Sequence, residues 1–483
     1  MLRQAGTKNF SIMKKIILTI AISFAIILSS HAQAPQLWGI MEQGGAQSYG
    51  CIIKADSTGT NFQIDYSFDY VNGAMPVGNL CGGGNGKMYG VTYLGGYGDS
   101  CCVYEYDSLT RICHNIHDLF FDIDSGWDAW SGMIRAADGM LYGLCAMGGH
   151  YGGGVLYRIN PVTNAYSPLY HFSQITGSFA LGGLIQLPDG KLYGMTSQGG
   201  AFGGGVIFSY NPVDSGYVKL YDFAANQNPM YGSLLHATDG KLYGMTQQGG
   251  NNNLGVLFSF DVVTENYAEL FSFNTMSGST PYASLIQADN GMLYGMTMNG
   301  GANNYGTIFK FNTANNAFSV LHDFDIATGG NPQRSLSQAS NGKLYGMTST
   351  GGLYNGGVAF SYDIVTNTYI DLVDFGGAGL SCSGPSSDIQ EMQARATANT
   401  SNVSSLNENL ISAYPNPAVD VVTLSRIILN STSQVTITDI QGREISGINH
   451  KGNVFNISSL AAGIYTVKVL SGKNVMQGKF VKN

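Results

Sequence analysis

Charged side chains are scarce in this sequence of 483 residues. Only 11% of the residues are Asp, Glu, Lys or Arg, and the formal net charge is −8. A protein that binds nucleic acid neutralises phosphates with a basic surface, which this composition does not supply. We therefore expect no nucleic-acid partner.

Long hydrophobic runs are also rare. The longest mostly apolar run, Ile16–Leu28, has 13 residues, follows two lysines and precedes small residues. That order is typical of a secretory signal peptide, whereas crossing a bilayer takes about 20 apolar residues. We predict a signal peptide over 1–32, with 1–12 as an upstream start extension, and no transmembrane segment after its removal.

The seven cysteines include no CxxC pair, which argues against a structural zinc site. Export would permit disulfides, but the odd number leaves at least one thiol unpaired. The eight histidines are scattered, and the recurrent aspartates occupy predicted turns. We therefore assign no catalytic residues, and the sequence leaves open whether the protein is an enzyme.

A motif related to Leu-Tyr-Gly recurs along the chain at a nearly constant interval. The steps between its aromatic residues are 51, 53, 51, 50, 51 and 51 residues, and these residues are Trp38, Tyr89, Tyr142, Tyr193, Tyr243, Tyr294 and Tyr345. A period of about 50 residues is typical of β-propeller blades. We predict an all-β fold with a seven-bladed β-propeller over 35–391; an open solenoid is the alternative.

Each repeat is expected to form four strands, A to D. In the repeat Gly183–Phe223 the predicted strands are Leu184–Leu187, Lys191–Thr196, Val206–Tyr210 and Tyr217–Phe223. The pair Asp189-Gly190 between the first two is a strong hairpin signal, and six repeats carry an Asx-Gly pair at this place. The variable lengths then fall in the crossings from strand D to the next strand A.

The first repeat begins at strand B, so its inner edge needs a partner. Residues 384–390 resemble the entry to strand A in other repeats, and we predict that they pair beside Trp38–Met41. Cys51 and Cys382 would then lie on the same face of the ring. We hypothesise a disulfide between them that joins the first repeat to the last; two free or differently paired thiols are the alternative. Most of the other five cysteines are expected to be small core residues, and their pairing is left unassigned.

The repeated pattern of DGKLYGMT, a Gly pair and GVIFxY resembles the GloVer tandem repeat of exported bacterial proteins, over Leu37–Phe375. The strand layout also resembles kelch blades, although the Gly pair is placed differently there. Neither resemblance implies any catalytic residue.

The tail is predicted to contain a linker over 392–408 and a strand-rich domain over 409–483. This domain resembles the C-terminal sorting domain of type IX secretion substrates. The residues that carry the resemblance are Tyr414, Pro415, Asn416, Pro417, Asp439, Gly442, Arg443, Leu460, Gly463, Tyr465, Lys479, Phe480, Val481 and Lys482. The resemblance implies a small immunoglobulin-like β-sandwich, the type IX machinery as a partner and a secreted or cell-surface location. An ordinary β-sandwich accessory module is the alternative.

Candidate ligand-binding residues are aromatic and lie in the predicted loops between strands B and C or D and A. They are Tyr49, Tyr97, Tyr151, Phe202, Tyr305, Tyr354, Trp127 and Trp130. Flat rings around an axial opening could stack on sugars; the alternative is that they pack between blades.

A calcium site is also considered in the loop that carries both tryptophans. Asp122, Asp124 and Asp128 offer carboxylate ligands at nearby positions, although Gly126 stands where the helix-loop-helix motif needs an oxygen ligand. The alternative is a polar loop with buried tryptophans. Calcium is the only cofactor considered.

These features predict an exported β-propeller that binds an extracellular ligand, which could be a glycan or a protein. A polysaccharide lyase or hydrolase built on the same scaffold and a structural or adhesive surface protein are the alternatives.

Overall fold

The computed structural model describes residues 35–97, 99–120 and 124–392, and in the tail 412–414, 421–425, 434–439, 443–445, 450–451, 454–471 and 474–482. The predicted signal peptide and all but the first residue of the predicted linker lie outside these ranges. The chain divides into two compact units, 1–395 and 396–483. The described residues form strands and no helix, so none of them belongs to a helix that could span a membrane.

The first unit contains seven antiparallel sheets within its described residues. Sheet 1 contains β1 (Gln36–Gly44), β2 (Cys51–Asp56) and β3 (Gln63–Ser67). Sheet 2 contains β4 (Ala74–Gly82), β5 (Met88–Leu94), β6 (Cys101–Asp107) and β7 (Ile112–Leu119). Sheet 3 contains β8 (Ile134–Arg135), β9 (Leu141–Cys145), β10 (Val155–Ile159) and β11 (Tyr166–His171).

The next four sheets repeat this arrangement. Sheet 4 contains β12 (Ile185–Gln186), β13 (Leu192–Thr196), β14 (Val206–Asn211) and β15 (Gly216–Asp222). Sheet 5 contains β16 (Leu235–His236), β17 (Leu242–Thr246), β18 (Val256–Asp261) and β19 (Asn266–Ser272). Sheet 6 contains β20 (Ile286–Gln287), β21 (Leu293–Thr297), β22 (Thr307–Asn312) and β23 (Ala317–Asp323). Sheet 7 contains β24 (Ser337–Gln338), β25 (Leu344–Met347), β26 (Val358–Asp363) and β27 (Thr368–Asp374).

Sheet 4 illustrates how the sequence forms one repeat. Gly190, with a φ of +81°, completes the turn between β12 and β13. The preceding Asp189 accepts hydrogen bonds from the Lys191 amide (3.0 Å) and the Tyr193 hydroxyl (2.8 Å). An Asp-Gly pair favours this hairpin because Gly adopts a positive φ without steric cost. The prediction of four antiparallel strands per repeat is confirmed.

The inner strand of sheet 4 is shorter than predicted. It covers two residues, since Leu187 belongs to the turn that follows and Gly183, before the strand, hydrogen-bonds to another sheet. The Leu187 amide donates to the Lys191 carbonyl as part of the turn, and the Gly183 amide donates to Ser233 in the next sheet. The inner strands therefore serve both their own sheet and the contact to a neighbour.

Sheet 1 receives its inner strand from the end of the unit. β28 (Cys382–Pro385) pairs with the end of β1, and β29 (Gln390–Met392) pairs with its beginning. Between them, the Ile40 amide donates to Ser387 Oγ at 2.8 Å. The prediction that 384–390 completes the first repeat is confirmed, with the difference that the segment is divided into two short strands.

Hydrophobic clusters lie between neighbouring sheets, and each cluster draws its residues from two sheets. One further cluster joins sheet 7 to sheet 1, where Tyr345 and Met347 pack with Leu37 and Ile53. Burying a large apolar side chain contributes about 1.5 to 3 kcal/mol. Stability therefore depends on contacts between repeats as well as on each sheet.

Aromatic rings on the outer strands stack from one sheet onto the next. The ring centroids lie 3.9 to 4.2 Å apart in the nearly parallel pairs Tyr170–Tyr217, Tyr221–Tyr267, Phe271–Phe318 and His322–Tyr369. Both partners recur at fixed distances from the motif aromatic, so the repeat period of the sequence produces the stacking.

The second unit contains two four-stranded sheets within its described residues. One contains β30 (Ser412–Tyr414), β31 (Val421–Ser425), β34 (His450–Lys451) and β35 (Val454–Asn456), and the other contains β32 (Gln434–Asp439), β33 (Glu444–Ile445), β36 (Gly463–Ser471) and β37 (Asn474–Lys482). The sequence pattern predicts strands over 419–425, 434–440, 454–457, 463–470 and 475–482, and five of the observed strands match these segments. β30, β33 and β34 are additional short strands.

Candidate functional site in the central cavity

A cavity of about 480 Å³ lies where the inner strands of the first unit converge. Sheet 2 lines it with the last five residues of β4, and sheets 3 to 7 line it with residues in or just before their inner strands. Sheet 1 contributes Asp388, Gln390 and Met392. We call this space the central cavity. Its volume lies within the range of small-molecule sites.

A series of hydrogen bonds runs along the wall of the central cavity. In sheets 2 and 4 to 7 its members stand ten residues before the motif aromatic, and sheet 1 contributes Asp388. The backbone amide of each residue donates to the side chain of the next: Gly183 to Ser233 (2.9 Å), Ser233 to Ser284 (2.8 Å), Ser284 to Ser335 (3.0 Å), Ser335 to Asp388 (2.5 Å) and Asp388 to Asn79 (2.8 Å). Each bond joins two sheets. The series therefore holds the wall of the cavity in a defined position.

An aromatic group lies on one side of the central cavity. Trp130 and Tyr231 line it, with their ring centroids 5.7 Å apart and nearly perpendicular. Tyr282 stacks on Tyr231 at 4.5 Å, and Tyr93 lies 5.0 Å from Trp130. Trp130 Nε1 donates to Asp128 at 2.8 Å, which fixes the indole. These rings offer an apolar surface inside a polar wall.

Arg334 supplies a positive charge beside this aromatic group. It lines the central cavity, and its Nε is inaccessible to solvent and has no hydrogen-bond partner. The six ion pairs among the described residues do not include it. Burial lowers the pKa of Arg334, while the carboxylate of Asp388 opposes that shift. A guanidinium is nevertheless always protonated in proteins.

Two carboxyl groups near Arg334 reduce the positive electrostatic potential that it produces in the cavity. Burial raises the pKa of Asp388, against the effects of the Asn79 and Ser335 hydrogen bonds and of Arg334. Burial also raises the pKa of Glu42, and the charge of Arg334 lowers it. The wall therefore carries two cations, Arg334 and Arg135, and the acidic neighbours of Arg334 lie beyond ion-pair distance.

Sequence reasoning missed the residues that give the central cavity its character. Arg334 stands eleven residues before its motif aromatic, where other repeats have Gly78, Ser131, Gly182, Gly232 and Ala283. Tyr231 and Tyr282 stand one position earlier, as does Trp130. Alignment of the repeats at these positions would have shown Arg334 as the exception.

The structure separates most predicted loop aromatics from the central cavity. Of the eight predicted residues, Trp130 alone lines it. Tyr97, Tyr151, Phe202 and Tyr354 are exposed, Tyr49 lies 4.9 Å from Tyr70, and Tyr305 is partly buried between sheets 6 and 7. Their role in ligand binding stays a prediction.

The loop that carries both tryptophans packs against sheet 3. The Trp127 amide donates to the Met147 carbonyl at 3.0 Å. Asp124 lies 3.1 Å from His150 Nε2, whereas Asp128 accepts from Trp130, so the two carboxylates have different partners. Asp122 lies outside the described residues. Within the described part of the chain no cluster of three acidic, His or Cys side chains could hold a metal, and the calcium site stays a prediction.

Cys51 and Cys382 are joined by a disulfide bond across 331 residues of sequence. It links the start of β2 to the start of β28 and so ties the first repeat to the segment that completes it. The remaining cysteines are free and buried: Cys81, Cys101, Cys102, Cys113 and Cys145. They pack as small core residues, as predicted.

The residues of the predicted sorting motif are described in part. Arg443 Nε donates to Asp439 Oδ2 at 2.7 Å, and the Tyr465 hydroxyl donates to the Ala461 carbonyl at 2.9 Å. Gly463 begins β36 and Lys482 ends β37. Tyr414 and the run Lys479, Phe480 and Val481 are placed by their backbone in β30 and β37, while Pro415, Asn416, Pro417 and Gly442 lie outside the described residues.

The fold and the central cavity define a β-propeller-like repeat protein with a separate all-β tail. Residues 29–236 and 225–408 match the Gloeobacter/Verrucomicrobia repeat, and the chain belongs to this repeat family. Residues 412–483 match the secretion system C-terminal sorting domain. The tail indicates export by type IX secretion across the outer membrane, with the protein at the surface or released. Both resemblances identified from the sequence are confirmed; the likeness to kelch blades stays a prediction.

Solved structures share the fold at low sequence identity. A periplasmic gluconolactonase from Pseudomonas aeruginosa aligns with a TM-score of 0.51 and 14% identity, over 75% of this chain and 99% of its own. A Bacteroides uniformis protein assigned provisionally as a 6-phosphogluconolactonase aligns with a TM-score of 0.52 and 14% identity, over 74% of this chain and all of its own. At this identity the likeness concerns the fold alone. No curated protein matches the sequence.

Proposed function

We propose that this chain is an exported, closed seven-bladed β-propeller whose central cavity binds an extracellular ligand, with a glycan as the favoured class. The tail is proposed to be an immunoglobulin-like β-sandwich, which its two four-stranded sheets support. After export this tail is removed, and the propeller is released or attached to the cell surface.

Closure of the ring is supported by three contacts between the first and last repeats. They are the pairing of β28 and β29 with β1, the hydrophobic cluster between sheets 7 and 1, and the Cys51–Cys382 disulfide. An open solenoid would leave the outer faces of sheets 1 and 7 uncovered. With the seven sheets around one cavity, closure gives each sheet two neighbours.

The asymmetry of the central cavity is the observation that carries the ligand-binding proposal. A purely structural ring could use the same small residues in every repeat. Here Arg334 replaces the small residue of the other repeats, Trp130 and Tyr231 stand one repeat position earlier, and all three line the cavity. A binding site needs such a unique group of apolar and polar side chains within a concave surface.

A glycan array probed with the purified exported protein tests this proposal. The Tyr231→Ala variant should lose binding, because it removes part of the aromatic surface in the cavity, whereas Phe202→Ala, on an exposed loop, should retain it. Absence of binding, or loss with Phe202→Ala alone, would contradict the cavity site. Appearance of new reducing or unsaturated ends would instead indicate a polysaccharide-active enzyme, and cell adhesion without sugar binding would indicate an adhesive protein.

Export is tested by deletion of 409–483 in the producing bacterium. The truncated protein should accumulate in the periplasm, while the full chain should reach the surface or the medium. Mass spectrometry of the exported form then identifies whether the tail has been removed.

A further inference from the structure

We propose that Arg334 makes the central cavity a site for an acidic sugar, with its guanidinium binding the carboxylate of a uronate residue. This inference rests on the proposed ligand-binding function and specifies the chemical class of the ligand. The juxtaposition that carries it is an Arg without an ion-pair partner beside the aromatic rings of Trp130 and Tyr231, all three lining one cavity.

The position of Arg334 in the repeat is the first argument. At the equivalent places of the other repeats the side chains are small and uncharged, so the fold does not require a cation there. Among the aligned repeats, the last one alone has a long charged side chain at this position, which is Arg334. A residue that differs from its equivalents in the other repeats is expected at a site that binds one ligand.

The absence of an ion-pair partner for Arg334 is the second argument. Its Nε is buried without a hydrogen bond, and among the described residues no carboxylate lies within ion-pair distance of its guanidinium. Asp388 is near enough to act on its charge, but that carboxylate already accepts hydrogen bonds from Ser335 and Asn79. A partly buried charge left in this condition is costly for stability. An anionic ligand would supply the opposite charge that no described carboxylate provides within ion-pair distance of the guanidinium.

The charges beside Arg334 favour a carboxylate over a phosphate as the bound anion. The guanidinium fork can donate two parallel hydrogen bonds to one carboxylate. Asp388 and Glu42 lie in the field of the same cation, so a multiply charged phosphate would meet repulsion as well as attraction. Arg135 also lines the cavity. A group with a single negative charge suits Arg334, because the acidic neighbours of this residue oppose any further negative charge beside it.

The aromatic group suits the sugar ring that carries the carboxylate. A sugar ring has an apolar face of C–H groups that packs on aromatic rings, while its hydroxyls need polar partners. Trp130 and Tyr231 provide the first, and Gln333 and the serines of the hydrogen-bonded series line the same cavity. A uronate combines the carboxylate and the ring in one residue.

Titration calorimetry of the purified exported protein tests this inference with two matched ligand sets. One contains short oligomers of galacturonate, glucuronate, mannuronate and guluronate, and the other contains the same oligomers with their carboxyl groups methyl-esterified. At least one acidic oligomer should bind, and its ester should bind about ten-fold or more weakly, since a charge-assisted hydrogen bond is lost. Inorganic phosphate and sulfate at the same concentration should not compete.

Variants of Arg334 separate recognition from structure. Arg334→Met should weaken acidic-oligomer binding about ten-fold or more without lowering the melting temperature, because it removes an unpaired buried charge. Arg334→Lys should retain part of the binding, since it keeps the charge and loses the fork. Lys241→Gln, the same loss of charge at an exposed position, should bind as the unchanged protein does.

The possible failures are distinguishable. Equal binding of acidic and esterified oligomers that persists in Arg334→Met but is lost in Tyr231→Ala would overturn the carboxylate inference and leave the cavity site in place. A large fall in melting temperature for Arg334→Met would show that the cation is structural, which also overturns the inference. Competition by sulfate or phosphate would show that the site prefers another anion and would overturn the inference. No binding of any uronate oligomer would also overturn it, while the glycan array decides separately whether the cavity binds a ligand.

Discussion

Asn79 and Asp388 hydrogen-bond to each other twice across 309 residues of sequence. The Asp388 amide donates to Asn79 Oδ1, and Asn79 Nδ2 donates to Asp388 Oδ2, both at 2.8 Å. This reciprocal pair joins the segment that completes sheet 1 to the inner strand of sheet 2. It lies at the wall of the central cavity, so the same contact affects both stability and the shape of the site.

The Asn79–Asp388 pair is expected to couple energetically. Asn79→Ala and Asp388→Ala should each lower the free energy of unfolding by about 1 to 3 kcal/mol, since each leaves a buried polar group without its partner. In the double variant the losses should be less than additive. Urea unfolding of the four proteins measures the coupling, and strictly additive losses would show that the two residues act independently.

The disulfide is expected to stabilise the first unit because it encloses a long loop. Replacing both Cys51 and Cys382 by Ser should lower stability by about 2 to 5 kcal/mol. A reducing agent should lower the melting temperature of the unchanged protein and leave that of the double variant unaltered. Peptide mapping under non-reducing conditions should recover the two cysteines in one linked peptide; recovery in separate peptides contradicts the bond.

His322 is expected to weaken the fold at acidic pH. Burial lowers its pKa from the ordinary 6.5, against the charges of Asp325 and Asp323. For a His with a lowered folded-state pKa, the stabilising contribution is present above about 6.5 and is lost as the pH falls through the lowered value.

The variant His322→Phe should therefore lose less stability than the unchanged protein between about pH 8 and about pH 5. The replacement fits, because Phe271 occupies the equivalent position and stacks on Phe318 at 3.9 Å. Thermal unfolding at the two pH values measures the effect, and a substitution at the exposed His236 is the control. An identical pH profile for His322→Phe would exclude this source of acid sensitivity.

Close approach of neighbouring sheets at the cavity wall is expected to exclude a side chain at Gly182. A Cβ there would overlap the carbonyl oxygen of Gly232. Gly182→Ala should lower stability by about 1 to 3 kcal/mol through overpacking. Gly379→Ala, where a Cβ would meet nothing within 4 Å, is the matched control. Equal stability of the two variants in urea unfolding would show that the sheets can move apart at no cost.

The hairpins and the strand spacing are predictable from the sequence, because residues within one repeat determine them. Each Asx-Gly pair defines a hairpin by itself, and the fixed spacing to the next aromatic follows from the sheet that the hairpin starts. The closing segment is also predictable, because 384–390 resembles the entry to other inner strands. The length of the inner strand is not, since Gly183 gives its hydrogen bond to Ser233 in another repeat.

The candidate site depends on contacts that no single repeat contains. Trp130, Tyr231 and Arg334 lie in three repeats and meet only because sheets 3, 5 and 7 face one cavity. Recurring loop aromatics such as Tyr97 are conspicuous in the sequence, yet that ring is exposed and does not line this cavity. Differences between repeats were thus more informative about the central cavity than the residues that recur.

The order of segments along the chain has a consequence for biogenesis. β28 and β29, which fill the gap in sheet 1, are encoded after every repeat and immediately upstream of the sorting region. A polypeptide that ends prematurely in any repeat lacks both the strands that complete sheet 1 and the sorting domain for type IX secretion. Only a full-length chain therefore contains both the complete first unit and the domain that directs its export.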